Sequence, residues 1–266
     1  MLMSVLEGAR ASPAYPELAG KRVLITGISS TSGVDVVRAF AEHKARLVLQ
    51  FDELSEPAQA IAEIAAPAAL EMRAFGPIDR AADRVAQFAR AAVKAFHGLD
   101  VAINLVPLSP SRLPTASATT ADVERMLAEH LMLPVLISRI AANRMGLVWR
   151  DGLVLNVASL LAPAHGRALA FASLIKTALT AMTRRVAEAS ASQAIRCNAI
   201  APQTAPAPGE PCLFGEADIA ALALYLASDR GKGLTGHVFE AEPAPIVRGA
   251  DGGLGLSRCL TRRFGD

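Results

Sequence analysis

The sequence predicts an α/β fold, a single domain built on a doubly wound, mostly parallel sheet. Three observations carry this. Short apolar runs rich in β-branched residues recur along the chain. Each is followed by a segment with helical apolar spacing. The first run ends in a polar, glycine-bearing turn that opens a helix.

In chain order, residues 1–20 read as an irregular arm, with Pro13 and Pro16 opposing regular structure. KRVLITG is a buried parallel strand ending at Gly27. ISSTSG is the turn, VDVVRAFAEH a helix and RLVLQF the second strand. The stretch from Lys21 to Asp52 thus forms a Rossmann-type strand–turn–helix–strand unit of about 30 residues. Residues 55–66 read as a helix and ALEMRAF as a strand. Asp79 is placed to cap a helix running to about Phe96, with Val85, Phe88, Ala92 and Phe96 on one face. LDVAINLV is a strand, and Thr119 or Thr120 caps a long helix to about Met145. GLVLNVA, a helix from about Ala168 to Ala191, the strand AIRCNAIA, a helix from Glu216 to Asp229 and the strand LTGHVFEA complete the alternation. The domain spans 21–242, and a Gly- and Arg-rich tail covers 243–266.

Composition narrows the function classes. A length of 266 residues suits one large core. No apolar run approaches the roughly 20 residues of a membrane span. MLMSVLEGAR is a poor secretory signal because its apolar stretch is short and interrupted by Glu7. Cys197, Cys212 and Cys259 lie far apart without metal spacing, so a cytoplasmic protein without a metal is expected. A net charge of +2 gives no bulk electrostatic case for nucleic acid, and 5% aromatics give no stacking platform.

The turn TGISSTSG stands where a dinucleotide's pyrophosphate would meet a helix N-terminus. Gly27 and Gly33 permit close approach, and Ser29, Ser30 and Ser32 offer donors. Thr31 sets a branched side chain near the phosphate path. Asp52, in QFDE at the end of the second strand, is a carboxylate for ribose hydroxyls, although Phe51 takes the position the strand register favours.

Taken together, TGISSTSG, Asn104 in DVAINLVP, GLVLNVASLLA, FASLIK, AIRCNAIAP and DIAALALYLASD resemble the landmarks of the short-chain dehydrogenase/reductase superfamily. The pattern is 3-ketoacyl-acyl-carrier-protein-reductase-like and runs from about Lys21 to Glu242. The resemblance implies NAD or NADP as cofactor, held by Gly27, Ser29, Ser30, Gly33, Asp52, Asn104 and Lys176. It places the catalytic serine at Ser159 and the lysine at Lys176. The catalytic tyrosine position is Ala172, the proton-relay asparagine position is His130, and the family's NNAG has become Asn104, Leu105, Val106 and Pro107. The segment between Pro202 and the last helix is shorter than the family's substrate lid.

Alanine cannot exchange a proton, and neither Tyr15 nor Tyr225 is placed to replace the missing tyrosine. The leading expectation is therefore a catalytically silent homologue in which nucleotide binding is weakened. It would act as a homo-oligomer or with an active paralogue, joined through the helices near 120–145 and 168–191. The alternatives are an NAD(P)-dependent oxidoreductase using His130 or water as proton donor, with His165 a weaker candidate, and a nucleotide-binding sensor. The tail arginines Arg248, Arg258, Arg262 and Arg263 are expected to be solvated.

Overall fold

The computed structural model describes residues 15–109, 113, 118–148, 151–160, 166–201 and 215–240. Seven parallel strands form one sheet in the order β3-β2-β1-β4-β5-β6-β7. They are β1 Arg22–Ile28, β2 Arg46–Phe51, β3 Glu71–Phe75, β4 Val101–Leu108, β5 Gly152–Leu160, β6 Ile195–Ile200 and β7 Val238–Phe239. The helices are α1 Val34–Glu42, α2 Glu56–Ala65, α3 Ala82–Lys94, α4 Thr120–Leu127, α5 Leu133–Val148, α6 Gly166–Ser190 and α7 Glu216–Ala227. This is the Rossmann-type architecture that the alternation predicts.

The strands alternate their side chains between two apolar layers, as a sheet covered on both faces requires. Val23, Ile25, Val101, Ile103, Leu153 and Leu155 pack with α1, α2 and α7. Leu24, Ala102 and Val154 pack on the other side with α3 and α5. A third cluster lies beyond the carboxyl ends of β4 and β5, where Val106, Leu108 and Ala158 meet Leu113, Met126, Ala172, Ile175 and Leu179.

Three polar groups tie the sheet together. Arg22 donates to both oxygens of Asp100, from Nε at 2.8 Å and from its terminal nitrogen at 2.6 Å, joining β1 to the start of β4. Arg196 donates to the carbonyls of Leu226 and Gly231, closing the end of α7. Between them runs a buried chain of side chains. Thr26 Oγ1 donates to Asn104 Oδ1, Asn104 Nδ2 donates to Ser138 and to Asn156, and Asn156 Nδ2 donates to Thr183 Oγ1.

The structure corrects several local expectations. Tyr15 and Leu18 are buried beside the 3₁₀ turn Pro16–Leu18, and Glu17 accepts from Asp229 N at 3.0 Å, so the chain is anchored before residue 20. Pro16 starts that turn, where a missing N–H costs nothing. Asp79 accepts from Ala81 N and ends there; it does not cap α3. Thr119 caps α4 with Asp122 in a reciprocal pair. The long helix from there is broken by a π turn at Ala128–Met132. The last strand keeps only two residues.

Cys197 lies wholly buried on β6, and burial pushes its thiol up to about 12. A thiol so held is inert, because the thiolate is the reactive form. In a C212S/C259S variant, Ellman's reagent should therefore give no signal from the folded protein and one equivalent in guanidinium. Prompt labelling of the native state would contradict this packing.

Candidate active site

The sheet order reverses between β1 and β4, and ligands of open α/β sheets bind outside the carboxyl ends of the strands at such a point. Gly27 and Gly33 sit there with φ of 77° and 100°. A Cβ on Gly27 would come within 2.0 Å of the Leu105 carbonyl oxygen, and one on Gly33 within 2.8 Å of the Leu105 side chain. Both positions require glycine, and the backbone cradle of the turn is kept. Ser29 and Ser32 close it by mutual backbone hydrogen bonds, and the Ser29 and Thr31 hydroxyls lie 3.3 Å apart. Thr31 itself is exposed and lies at the rim.

The amides of this cradle have partners inside the chain. Gly27 N donates to Gln50 Oε1 at 2.9 Å. Ser30 N donates to Glu53 Oε1 at 2.7 Å. The Glu216 carboxylate, from the first residue of α7, accepts from Gly33 N and also meets the amides of Val34 and Asp35. It therefore caps α1 from another helix, at the end where the helix dipole favours an anion. Burial holds the Glu216 carboxyl above its ordinary range, and the Asp35 charge adds to this.

Two of the expected cofactor residues have partners inside the chain. Asp52 is in an ion pair with Arg80 at 2.6 Å and accepts from Gln50 Nε2 at 3.1 Å. Asn104 is fully buried and spends its amide on Thr26, Ser138 and Asn156. These hydrogen bonds hold β1, β4 and β5 together.

Ser159, the penultimate residue of β5, is half-buried and paired in register with Pro107 of β4. Lys176, on α6, is 16% exposed and sits 3.2 Å from the Glu240 carboxylate just past β7. One turn earlier, Ala172 is 0% exposed inside the third apolar cluster. His130 lies in the π turn and is half-buried. A carbonyl oxygen only accepts, so the 2.9 Å contact of Nδ1 with Met126 O fixes the hydrogen on Nδ1. This contact anchors the turn at the place where the helical periodicity changes. His165, the segment 202–214, Cys212, Cys259 and the tail arginines lie outside the described residues.

The family model described as enoyl-(acyl carrier protein) reductase matches residues 27–209. The chain belongs to the short-chain dehydrogenase/reductase superfamily. It is 30% identical over 249 residues to momilactone A synthase of Oryza sativa subsp. japonica, covering 83% of this chain and 88% of that protein. It is 29% identical over 190 residues to 3beta-hydroxysteroid dehydrogenase 2 of Eggerthella lenta, covering 70% and 72% respectively. Its fold is similar to a short-chain dehydrogenase/reductase from Serratia marcescens (TM-score 0.69, 22% identity, 85% and 98% covered). It is also similar to a hydroxysteroid dehydrogenase from Escherichia coli (TM-score 0.70, 18% identity, 86% and 99% covered). Proteins of this superfamily generally bind NAD or NADP and are commonly oligomeric. Among the described residues, no helix is long and apolar enough to cross a membrane.

Sequence reasoning missed Glu53, Glu216 and Glu240. Glu53 follows Asp52 directly, and a second carboxylate at that strand end was the available signal. Glu216 lies 183 residues from Gly33 and Glu240 lies 64 from Lys176, so only the fold reveals either contact.

Proposed function

We propose that this chain is a catalytically silent member of the superfamily that serves as a structural subunit, either with copies of itself or with an active paralogue. The observation that carries the reading is Ala172: the position one turn before Lys176 is fully buried among apolar side chains. Carbonyl reduction needs an ionisable group within hydrogen-bond reach of the reacting oxygen. Lys176, which would lower such a group's pKa, is paired with Glu240. The family's dinucleotide does not fit the turn as it stands, because the amides that would meet a pyrophosphate face Glu53 and Glu216. No reaction step is therefore assigned to this chain.

Exposed Val135 and Leu147 on α5 and Leu174 on α6 supply apolar surface for the subunit role. Light scattering after size exclusion, alone and after co-expression with the paralogue, tests that role. A strictly monomeric chain that binds no paralogue would remove it.

NAD(P)H oxidation against a panel of ketones tests the silence. The expected result is no turnover above the enzyme-free rate. The Ala172→Tyr variant should also stay inactive and lose about 1–3 kcal/mol of stability, because the new ring overfills a closed apolar cluster. Turnover by the unaltered chain that disappears in Lys176→Met would overturn the reading.

A further inference from the structure

We infer that Glu216 and Glu53 form an internal anionic plug in the nucleotide turn, standing where a dinucleotide's pyrophosphate would lie. The inference rests on the silent reading above and gives the physical cause of one part of it. It makes nucleotide exclusion an electrostatic property added to an intact cradle.

The argument begins with what is preserved. Gly27 and Gly33 keep their left-handed backbone; a Cβ would collide with the Leu105 carbonyl at Gly27, and the φ of 100° disfavours one at Gly33. The Ser29–Ser32 bridge keeps the turn closed. Thr31, the most visible departure in the sequence, is exposed, with its hydroxyl beside that of Ser29. Sterically the cradle remains able to approach a phosphate chain.

Its donors are what has changed. The N-terminal amides of α1 converge on the Glu216 carboxylate, and Ser30 N on Glu53 at 2.7 Å. The two carboxylates come from separate elements, α7 and the loop after β2, so together they neutralise both ends of the turn. Oriented amides and a helix N-terminus form an anion site whether the anion is a ligand or a side chain. A diphosphate entering here would have to displace both carboxylates or lie against them, and directly juxtaposed like charges reduce affinity by orders of magnitude. Asp35 in the first turn of α1 lies beside them, its own charge paired with Arg38 at 2.6 Å.

The test uses the full chain and four variants: E216Q, E53Q, E216Q/E53Q and T31G. Binding of NADH and NADPH is measured by calorimetry at neutral pH, with ADP and adenosine as probes with and without a diphosphate. The unaltered chain should show no saturable binding below millimolar. E216Q should gain about tenfold or more for NADH or NADPH and for ADP, and the double variant should gain further. Adenosine should not respond. T31G alone should gain nothing. If E216Q does not fold, E53Q on the loop carries the test, with a smaller gain expected.

Tight binding by the unaltered chain overturns the plug, as does a folded double variant that gains nothing. So does a gain from T31G equal to that of E216Q. Turnover is assayed in the same samples. Binding without turnover in the unaltered chain sinks the plug and leaves the silent reading. Turnover sinks the silent reading itself.

Discussion

Replacing Asn156 with leucine should lower the free energy of unfolding by about 3 kcal/mol, with no change in the urea m-value. Asn156 is fully buried at the centre of β5. Its Oδ1 accepts from Asn104 Nδ2 at 2.8 Å and from Ser138 Oγ at 3.1 Å, and its Nδ2 donates to Thr183 Oγ1 at 2.9 Å. Leucine is close in volume but can accept nothing. One amide hydrogen of Asn104 and the Ser138 hydroxyl would be left facing apolar surroundings, at roughly 1–3 kcal/mol each. Thr183 would lose less, because its hydroxyl already donates to Leu179 O at 2.8 Å. A double-mutant cycle with Thr183→Val should therefore be non-additive, the pair costing less than the sum. A loss below about 1 kcal/mol for Asn156→Leu would show that relaxation or water replaces these bonds.

This network explains why the fold is more legible in the sequence than the site is. Asn104 and the strand around Asn156 resemble family landmarks, and the structure keeps both because they join three strands of the sheet. The alternation of apolar strands and amphipathic helices is likewise enforced by burial, so period and length suffice to read it. The site depends on contacts between residues far apart in the chain. Glu216 caps α1 from α7, and Glu240 meets Lys176 from beyond β7. No local spacing encodes either contact. Motif reading thus identifies the positions of the family landmarks but not their partners in the fold. Thr31 is exposed on the turn and Asn104 is inside the core, and neither placement follows from the motif alone. The π turn at Ala128–Met132, which contains His130, is equally unreadable from local spacing.

Replacing Asp100 with alanine should cost about 3 kcal/mol at neutral pH, near the lower end for breaking a buried ion pair, because both side chains keep some exposure. Asp100 and Arg22 are 17% and 15% exposed, and the carboxylate accepts three hydrogen bonds from Arg22, one of them from its backbone amide. Removing it takes the carboxylate from a largely buried guanidinium at the start of β1, which then keeps the weaker contact with His97 O. At roughly 2–4 °C per kcal/mol for a domain of this size, the melting temperature should fall by roughly 6–12 °C. The pH dependence supplies a sharper check. Burial alone would raise the Asp100 carboxyl, but the Arg22 hydrogen bonds and charge outweigh it and hold the group below its ordinary range. A depressed carboxyl stabilises the fold above its unfolded pKa of about 4, and the contribution is lost as the pH falls through the folded value. The gap between the unaltered chain and Asp100→Ala should accordingly close on acidification. Glu216 must act in the opposite sense. Its folded pKa is raised, so its contribution is complete below the ordinary glutamate value and is lost as the pH rises through the folded one. E216Q should therefore flatten the stability profile on the side where D100A leaves it unchanged. Melting curves of both variants between pH 3 and pH 8 separate the two carboxylates. If both variants shifted the profile in the same direction, the desolvated setting assigned to Glu216 would be wrong, and the backbone amides of α1 would outweigh its burial.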